Sequence, residues 1–357
     1  MKILYVINSL DIGGAEKMLV DIVENLKMSN HSIGVYLLRS KKTFLLNRLR
    51  TLNVSIFISN ISCYSPIHIY NIVNCSRNFD IIHSNLFPSL YWVSIASLFM
   101  KNTRKFVYTE HSTYNRRRKK KWLCVIEKII YNRYHKIIAI SSETKQNLSY
   151  WIGMSHKIEV IENAIDVYKY RNASAYDRRK MNIKSDVNVI LMSARFSTAK
   201  DQETLIKAFS LLNFDNIALV LVGDGPLKAE CEVLASQLGI ASSTYFLGMR
   251  EDIPQLIKMA DICVLSSHWE GFGLVAVEYM AAGKPVVASD VAGLNNVVKG
   301  AGILFKAGDE KELAANLSQL IVDVEYKNKI STACLKRSDK YELSKMVGAY
   351  LNVYNSL

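Results

Sequence analysis

The sequence predicts an α/β protein with two doubly wound, Rossmann-like domains that face a central cleft. Three observations lead to this class. A chain of 357 residues is long enough for about two domains, each with its own core. Short β-branched runs alternate with helical segments, which is typical of parallel sheets covered by helices on both faces. The alternation stops at 166–185, where tyrosines and polar residues replace it.

This interruption sets the predicted domain boundaries. We expect a first domain at 1–165, a linker at 166–185 and a second domain at 186–342. Residues 343–357 carry apolar side chains at helical spacing and are expected to form a closing helix. In doubly wound domains the ligand lies at the carboxyl ends of the strands. The loops that follow the strands are therefore where chemistry is expected.

The elements of each domain follow from the same periodicity. In the first domain we expect strands at 3–8, 32–38, 54–58, 80–84, 106–110, 136–141 and 158–162, with a helix at 16–27 after the first. In the second we expect strands at 189–193, 218–223, 244–247, 262–266, 286–289 and 302–305, with helices such as 201–212 and 227–238 between them. No internal repeat is visible.

Composition favours a globular, cytoplasmic protein. Half of the residues are hydrophobic and 22% are charged, and we find no secretory cleavage site after the first strand. The longest apolar stretch, 86–100, contains Pro88 and is shorter than the ~20 residues of a spanning helix. Six cysteines form no C-x-x-C pair, so we expect buried free thiols in a reducing cytosol and no metal site.

The net positive charge is confined to the first half of the chain. Residues 1–165 hold 23 Lys and Arg against 10 Asp and Glu, whereas residues 166–357 hold 22 of each. The densest run is Arg116–Lys121, followed by Trp122. No nucleic-acid motif accompanies it, and Trp122, Tyr131 and Tyr134 suit a bilayer interface. We expect this run to contact an anionic membrane, and the alternative is a solvated loop.

The most informative motif is the segment 267–278, which follows a predicted strand, turns on glycines and enters a helix. Such a turn lets backbone N–H groups at the helix start approach an anion. Glu270 in the turn and Glu278 in the helix do not suit a phosphate, but they suit the hydroxyls of a sugar and a ribose. The alternative is an exposed Glu and a second Glu stabilised by the helix dipole.

Two further segments place charge or glycine after a strand. Arg195 and Lys200 follow the first strand of the second domain, where two cations stabilise a diphosphate and the charge that grows as it leaves. Gly13 and Gly14 follow the first strand of the chain and open a helix. The alternative interpretation of Arg195 and Lys200 is a surface Arg and a Lys next to a helix cap. Two glycines alone are a weak signal and are not the G-x-G-x-x-G of dinucleotide binding.

Together with Val-Gly-Asp-Gly-Pro at 222–226, these segments resemble the retaining glycosyltransferases of family 4, which have the GT-B fold. The resemblance extends over nearly the whole chain and is strongest at 191–297. It implies that Glu278 holds the ribose of the nucleotide. Glu270 would bind hydroxyls of the donor sugar. The other implied donor contacts are the diphosphate residues Arg195, Lys200 and Gly14, the backbone of Phe272, Gly273 and Leu274, and the base loop at Met249 and Arg250.

The resemblance also implies an active-site histidine and a mechanism. His111, after Tyr-Thr-Glu at 108–110, matches the histidine that the family places at the end of a strand in the first domain. Retention through a covalent intermediate needs a carboxylate nucleophile, and none is well placed in the loops of the first domain. The family instead uses front-face attack, with the departing diphosphate helping to deprotonate the acceptor. No D-x-D motif is present, so we expect no obligatory metal and no other cofactor.

The resemblance implies the substrates only broadly. A UDP-sugar is the favoured donor, and the basic first domain points to a lipid-linked saccharide acceptor at the inner face of a bacterial membrane, as in surface polysaccharide assembly. The alternatives are a nucleotide-sugar 2-epimerase of the same fold and a catalytically silent scaffold. The chain departs from the family at Ala164, where Gly is usual, and at 292–295, which lacks Pro-Glu. It also departs after His83, where Ser84 and Asn85 stand and a second His is common.

Overall fold

The computed structural model describes residues 1–11, 13–40, 42–113 and 115–357. The chain forms two compact units, and residues 343–357 belong to the first of them. Unit 1 comprises residues 1–164 and 343–357, and unit 2 comprises residues 165–342. The predicted class of two α/β domains with parallel sheets is confirmed, because both sheets are entirely parallel.

Unit 1 contains a seven-stranded sheet in the order β3-β2-β1-β4-β5-β6-β7. Its strands are β1 Lys2–Ile7, β2 Ser32–Leu37, β3 Ser55–Ile58, β4 Ile81–Asn85, β5 Lys105–Glu110, β6 Lys136–Ala139 and β7 Ile158–Val160. The helices between them are α1 Gly14–Met28, α2 Phe44–Thr51, α3 Ile67–Cys75, α4 Ser89–Ala96, α5 Leu123–Asn132 and α6 Ser142–Ile152. The order reverses between β1 and β4, so ligands are expected at that edge.

Unit 2 contains a six-stranded sheet in the order β10-β9-β8-β11-β12-β13. Its strands are β8 Asn188–Ser193, β9 Ile217–Val222, β10 Thr244–Phe246, β11 Ile262–Leu265, β12 Val286–Ser289 and β13 Ile303–Phe305. The helices are α7 Val167–Arg171, α8 Gln202–Ser210, α9 Lys228–Gln237, α10 Ile253–Met259, α11 Leu274–Ala281, α12 Ala292–Val298, α13 Glu310–Val322 and α14 Val324–Ser338. Here the order reverses between β8 and β11.

The segment 166–185, which we expected as a linker, is ordered and packs within unit 2. It begins with α7, and Arg178 donates from Nη2 to Asp261 at 2.8 Å and to the carbonyl of Met259 at 2.6 Å. The amide of Tyr176 donates to the carbonyl of Gln255 at 3.0 Å. The second compact unit starts at residue 165 and includes this segment.

The last helix, α15 Leu343–Asn355, packs on unit 1 through a buried polar network. Tyr354 hydroxyl lies 2.8 Å from the Tyr5 hydroxyl and 2.6 Å from Nδ1 of His83. His83 Nε2 lies 2.8 Å from the Thr109 hydroxyl, and the Thr109 hydroxyl lies 3.3 Å from that of Tyr350. His83 is thus a core residue that ties α15 to β1, β4 and β5.

Candidate functional site

Unit 2 brings two of the predicted site residues into direct contact. Because β8 is the neighbour of β11, the loops that follow these strands lie at the same edge of the sheet. Lys200 from the first loop donates from Nζ to Oε2 of Glu270 from the second. The two side chains are only 22% and 17% exposed, so water screens this ion pair weakly.

Hydrogen bonds to the backbone carbonyls on both sides of Lys200 fix its position. The amide of His268 donates to the carbonyl of Ala199 at 3.0 Å, and the hydroxyl of Ser266 donates to the carbonyl of Asp201 at 2.7 Å. The Asp201 carboxylate in turn caps α8. The residues on both sides of Lys200 are therefore held by the loop that carries Glu270.

Two glycines shape the turn that contains Glu270. Gly273 has a φ of +89° and precedes α11 as its N-cap, a conformation that favours glycine. Gly293 in α12 approaches so closely that a Cβ there would lie 2.3 Å from the carbonyl oxygen of Glu270. Gly293 was not among the predicted site residues, because it is required by a contact between two loops that no local sequence pattern marks.

Helix α11 carries the remaining residues of this motif. Glu278 is the fifth residue of α11 and is 5% exposed. Phe272 is buried, and its ring packs edge-on against Tyr341 at 5.5 Å. Leu274 is the first helical residue, so the N–H groups that lack intrahelical partners begin there. A helix start suited to an anion and a buried carboxylate thus belong to one element.

The other residues of unit 2 that were predicted to bind the nucleotide-sugar differ in their exposure and in their side-chain contacts. Arg195 is exposed in the loop after β8, and Met249 is 55% exposed. Arg250 instead pairs with Asp252 through two hydrogen bonds, at 2.8 and 2.5 Å, and its guanidinium lies 5.3 Å from the ring centre of Tyr176. The side chain of Arg250 is therefore engaged within its own surroundings.

In unit 1 the predicted phosphate turn opens a long helix at the reversal of strand order. Gly14 is exposed and is the first residue of α1, which has 15 residues. The N-cap is Gly13, which has no side chain to accept hydrogen bonds from the N–H groups of the first turn. Burial raises the pKa of Glu16 in that turn. The helix start therefore offers backbone N–H groups at the carboxyl end of β1, where a doubly wound domain binds ligands.

His111 follows β5 and is hydrogen-bonded to the end of β4. Its Nε2 donates to Oδ1 of Asn85 at 3.0 Å. Burial lowers the pKa of His111 to about 4, so the ring is neutral at physiological pH. Glu110, one residue earlier, is buried, and its carboxylate accepts from the hydroxyl of Tyr131 at 2.9 Å and from Arg118 at 3.2 Å.

The basic run differs from the expectation that all of Arg116–Lys121 would face a membrane. Arg117 donates to the fully buried Glu127 at 2.7 Å, and Arg118 pairs with the buried Glu110. Arg117 also lies 4.2 Å from the ring centre of Phe87. The side chain of Arg116 lies outside the described residues. Two cations of the run therefore stabilise buried carboxylates, because an unpaired buried charge is costly.

The aromatic part of the same expectation was also wrong in two positions. Tyr131 and Tyr134 are 0% and 1% exposed and belong to the core, since they lie on the inner face of α5 and just after it. Trp122 is 64% exposed. Lys119, Lys120 and Lys121 are exposed. The outer face of α5 adds three exposed apolar side chains, Val125, Ile126 and Ile129.

Three further features concern metals, thiols and membranes. Among the described residues, no group of three or more His, Cys, Asp or Glu is arranged to hold a metal ion. The six cysteines are free, and burial raises the pKa of Cys231 to about 11. Within the described ranges, no helix has the length and apolar character needed to cross a bilayer.

Two family models match consecutive parts of the chain. The model for Glycosyltransferase Family 4 matches residues 12–169, and the model for Glycosyl transferases group 1 matches residues 174–337. The chain is 30% identical over 231 residues to the uncharacterized glycosyltransferase MJ1607 of Methanocaldococcus jannaschii, covering 61% of this chain and 59% of that one. It is 24% identical over 371 residues to the putative glycosyltransferase EpsF of Bacillus subtilis, covering 99% and 96%.

The crystal structure of Anabaena Alr3699/HepE in complex with UDP has the same fold, with a TM-score of 0.87, 25% identity and full coverage of both chains. Several curated relatives align over only 46% to 59% of their own length, so this chain spans about half of them. The two family models together account for most of the chain. The chain therefore belongs to the glycosyltransferases of the group 1 and family 4 type, with the GT-B fold.

Proposed function

We propose that the chain is a retaining glycosyltransferase that moves a hexose-type sugar from a UDP-sugar to a lipid-linked saccharide in bacterial surface polysaccharide synthesis. The observation that carries this proposal is the contact between Lys200 and Glu270 beside the glycine-dependent start of α11, on which Glu278 is buried. A cation suited to a diphosphate and carboxylates suited to hydroxyls thus occupy one sheet edge.

In this proposal each residue has one role toward the donor. Glu278 accepts hydrogen bonds from the ribose, and Glu270 accepts them from the sugar, assisted by backbone groups of 272–274. Arg195 and Lys200 bind the diphosphate, because charge-assisted hydrogen bonds stabilise phosphate oxygens. The start of α1 at Gly14 offers backbone N–H groups that suit a phosphate. Since Arg250 is already paired with Asp252, the base contacts the backbone at Met249.

The diphosphate competes with Glu270 for Lys200. The ammonium group of Lys200 donates a hydrogen bond to the Glu270 carboxylate. A bound donor places its diphosphate next to Lys200 and the hydroxyls of its sugar next to Glu270. Binding therefore exchanges one ion pair for two sets of substrate contacts. As the sugar–phosphate bond breaks, Lys200 and Arg195 stabilise the charge that grows on the diphosphate, which needs no metal.

The surroundings of His111 support attack from the same face as the leaving group. A double displacement needs a free carboxylate near the reacting carbon. Glu110, the carboxylate next to His111 in sequence, is directed at Arg118, Tyr131 and the amide of Ser112. With that carboxylate occupied, we propose that the departing diphosphate accepts the proton of the acceptor hydroxyl and that the anomeric configuration is retained.

The donor and acceptor classes rest on two different observations. A UDP donor is supported by the solved relative that binds UDP. A lipid-linked acceptor is supported by the outer surface around α5, formed by Lys119–Lys121, Trp122, Val125, Ile126 and Ile129. We call it the α5 surface. Lysines next to apolar side chains suit the inner leaflet, where each basic residue contributes about 1 kcal/mol, so we place the enzyme there as a peripheral protein.

The donor site is tested by thermal unfolding with UDP, GDP, ADP and UDP-sugars. A ligand present at about 100 times its dissociation constant adds roughly 2.7 kcal/mol to the free energy of unfolding. We expect a shift with UDP that is lost in Glu278→Ala and in Lys200→Ala. Glu232→Ala on the exposed side of α9 is the matched control and should keep the shift. No shift with any nucleotide would favour a silent scaffold.

The membrane contact is tested by co-sedimentation with vesicles. Wild-type protein should bind vesicles that contain anionic lipid and not neutral ones. Replacing Lys119, Lys120 and Lys121 with Ser should weaken binding severalfold, as should Trp122→Ser. The control replaces the exposed Lys311, Lys329 and Lys336 of unit 2, which gives the same change in net charge. Equal loss in both triple variants would mean that only net charge matters and would contradict the α5 surface.

A further inference from the structure

His268 contacts the residues on both sides of Lys200. Its amide donates to the carbonyl of Ala199 at 3.0 Å, and Nε2 of its ring lies 3.4 Å from Oδ2 of Asp201. A carboxylate can only accept hydrogen bonds, so a ring N–H directed at Asp201 suits both groups. One residue of the loop after β11 therefore holds the loop after β8 at two points, one before Lys200 and one after it.

Asp201 is itself held in one conformation. Its φ is +49°, in the left-handed region that Asp adopts more readily than most residues. The carboxylate of its side chain, which is only 7% exposed, accepts from the amide of Thr204 at 3.3 Å and from the Thr204 hydroxyl at 2.6 Å. Because this carboxylate is fixed to the first turn of α8, its contact with His268 fixes the ring relative to that helix.

The remaining neighbours of the His268 ring belong to the same edge of the sheet. The ring packs against that of Trp269, with centroids 6.3 Å apart and planes at 24°. A Cβ at Gly308, in the loop after β13, would lie 3.9 Å from Cε1 of His268. The side chain of His268 is 44% exposed. The ring therefore lies at the surface of this sheet edge, beside the backbone that leads to Glu270.

The two loops that His268 joins also carry the ion pair of the proposed donor site. Lys200 lies between the two residues that contact His268, and Glu270 follows closely after His268. Lys200 donates from Nζ to the Glu270 carboxylate. A lysine side chain is a flexible chain of four carbons, so the place that its ammonium group can reach depends on where its backbone is held. The contacts of His268 hold that backbone.

We infer that His268 is a positioning residue that, through Asp201, holds Lys200 where it can reach the diphosphate of the donor. The inference rests on the proposed function, in which Lys200 binds that group. A lysine that is already ordered binds more tightly, because less conformational freedom is lost when the ligand arrives. His268 was not among the predicted site residues, because the residues that it contacts are distant in the sequence.

The first test measures the contact between the ring and the carboxylate without any ligand. The Tm is compared for His268→Ala, for Asp201→Gly and for the variant with both changes. Glycine is chosen because it tolerates a positive φ and costs little at an N-cap. We expect the double variant to lose less than the sum of the two single losses, because residues in contact are not additive. Additive losses would overturn the inference.

The second test measures whether this contact acts on the diphosphate. Calorimetric titrations give the Kd for UDP and for uridine, which has no phosphate. His268→Ala should raise the Kd for UDP about tenfold and leave that for uridine unchanged, because the ordering of Lys200 is lost and the contacts of base and ribose are kept. Asp201→Asn tolerates the positive φ and keeps an oxygen for the cap, so it should bind UDP as the wild type does. An equal rise for both ligands, or no rise with UDP, would overturn the inference.

Asp323→Ala is the matched control for the loss of a helix cap. Asp323 caps α14 and accepts from the amide of Tyr326 at 2.8 Å. This variant should lower the Tm and leave the Kd for UDP unchanged. A tenfold rise in that Kd would mean that lower stability alone weakens binding, and it would overturn the inference.

The two tests distinguish failure of this inference from failure of the proposed function. If the wild type binds no UDP, the proposed function fails, and the unfolding comparison still decides whether His268 and Asp201 interact. If the wild type binds UDP and transfers the sugar while His268→Ala keeps the same Kd for UDP, only the inference fails.

Discussion

At the residue scale, Lys200 and Glu270 form an ion pair whose two members both have a role toward the donor in the proposed function. Both side chains are mostly buried, and each would carry an unpaired charge without the other. The desolvation cost of such a pair makes it weak evidence for stability by itself. The pair lies at the carboxyl ends of β8 and β11, where ligands bind in this architecture, and this location agrees with the proposed contacts to the donor.

Replacing Glu270 with Gln should separate nucleotide binding from sugar transfer. Lys200 then loses its competing carboxylate, so the Kd for UDP should stay the same or fall. Transfer from the UDP-sugar should drop about tenfold to a hundredfold, because a charged hydrogen bond to the sugar is lost. Calorimetry with UDP and initial-rate kinetics give the two values.

The matched control is Glu203→Gln, which removes the carboxylate of another Lys–Glu pair, the exposed pair with Lys207 on α8. Both the Kd for UDP and the transfer rate should be unaffected there. Weaker UDP binding in Glu270→Gln would mean that Glu270 orients Lys200 for the diphosphate and does not compete with it.

At the scale of elements, the basic residues in the turn at Arg116–Lys119 and before helix α5 lie in two different environments. Arg117 and Arg118 fold inward onto Glu127 and Glu110, while the lysines that follow remain in solvent. Glu127 also accepts from the Tyr91 hydroxyl at 3.0 Å and from the Trp151 indole at 2.6 Å. The inner arginines anchor the turn, and the outer lysines are available to a partner.

Arg117→Ala should therefore act on stability. It leaves the buried carboxylate of Glu127 without its cation, which costs about 3–5 kcal/mol in comparable cases. Urea unfolding followed by tryptophan fluorescence should show a lower midpoint, whereas Lys120→Ala should leave it unchanged. A vesicle-binding defect in folded Arg117→Ala protein, with normal stability, would contradict this division.

Helix α15 depends on a few buried hydroxyl groups. Tyr354→Phe removes the bonds to Tyr5 and to Nδ1 of His83 and leaves two buried groups unsatisfied, which costs about 1–3 kcal/mol each. We expect a lower Tm for this variant in thermal unfolding. Tyr168→Phe, at a residue that is 74% exposed, is the matched control and should not change the Tm. An unchanged Tm in Tyr354→Phe would mean that apolar packing alone holds α15.

At the scale of the whole molecule, acid should destabilise the protein through its buried histidines. The folded-state pKa of His83 is about 3 and that of His111 about 4, both below the unfolded value of about 6.5. The unfolded chain therefore binds protons first as pH falls. Stability is full above pH 6.5 and is lost as pH falls toward 4, by up to about 1.4 kcal/mol per pH unit for the fully buried His83.

This dependence is measured by comparing the Tm at pH 7.5 and pH 5.5. His83→Gln should have a lower Tm at pH 7.5, because hydrogen bonds are perturbed, but a smaller drop between the two pH values. His156→Gln, at an exposed position, should behave as the wild type. Burial raises the pKa of Glu110, so this carboxyl contributes the opposite slope between the ordinary pKa of a glutamate and its raised one. An equal drop in His83→Gln would contradict the role of His83.

The local sequence determined both parallel sheets and the segments that carry the predicted site residues. Alternating apolar runs predicted both parallel sheets, because a strand buried on two faces must be apolar throughout, as in 218–222. The segments with Arg195, Lys200 and Glu270 were recognisable because a strand, a turn and a helix start follow each other in sequence. The family could be predicted from these segments, because the residues that characterise it are consecutive in the sequence.

Only the tertiary structure decided which charges meet and which groups are buried. Arg117 and Lys120 look alike in sequence, yet one pairs with Glu127 and the other is exposed. Asn85 and His111 come together because β4 and β5 are neighbours, and Gly293 is required by the Glu270 turn across the sheet edge. The physical reason is the same in each case. Periodicity reports which face of an element is apolar, whereas desolvation and hydrogen bonding depend on neighbours that are distant along the chain.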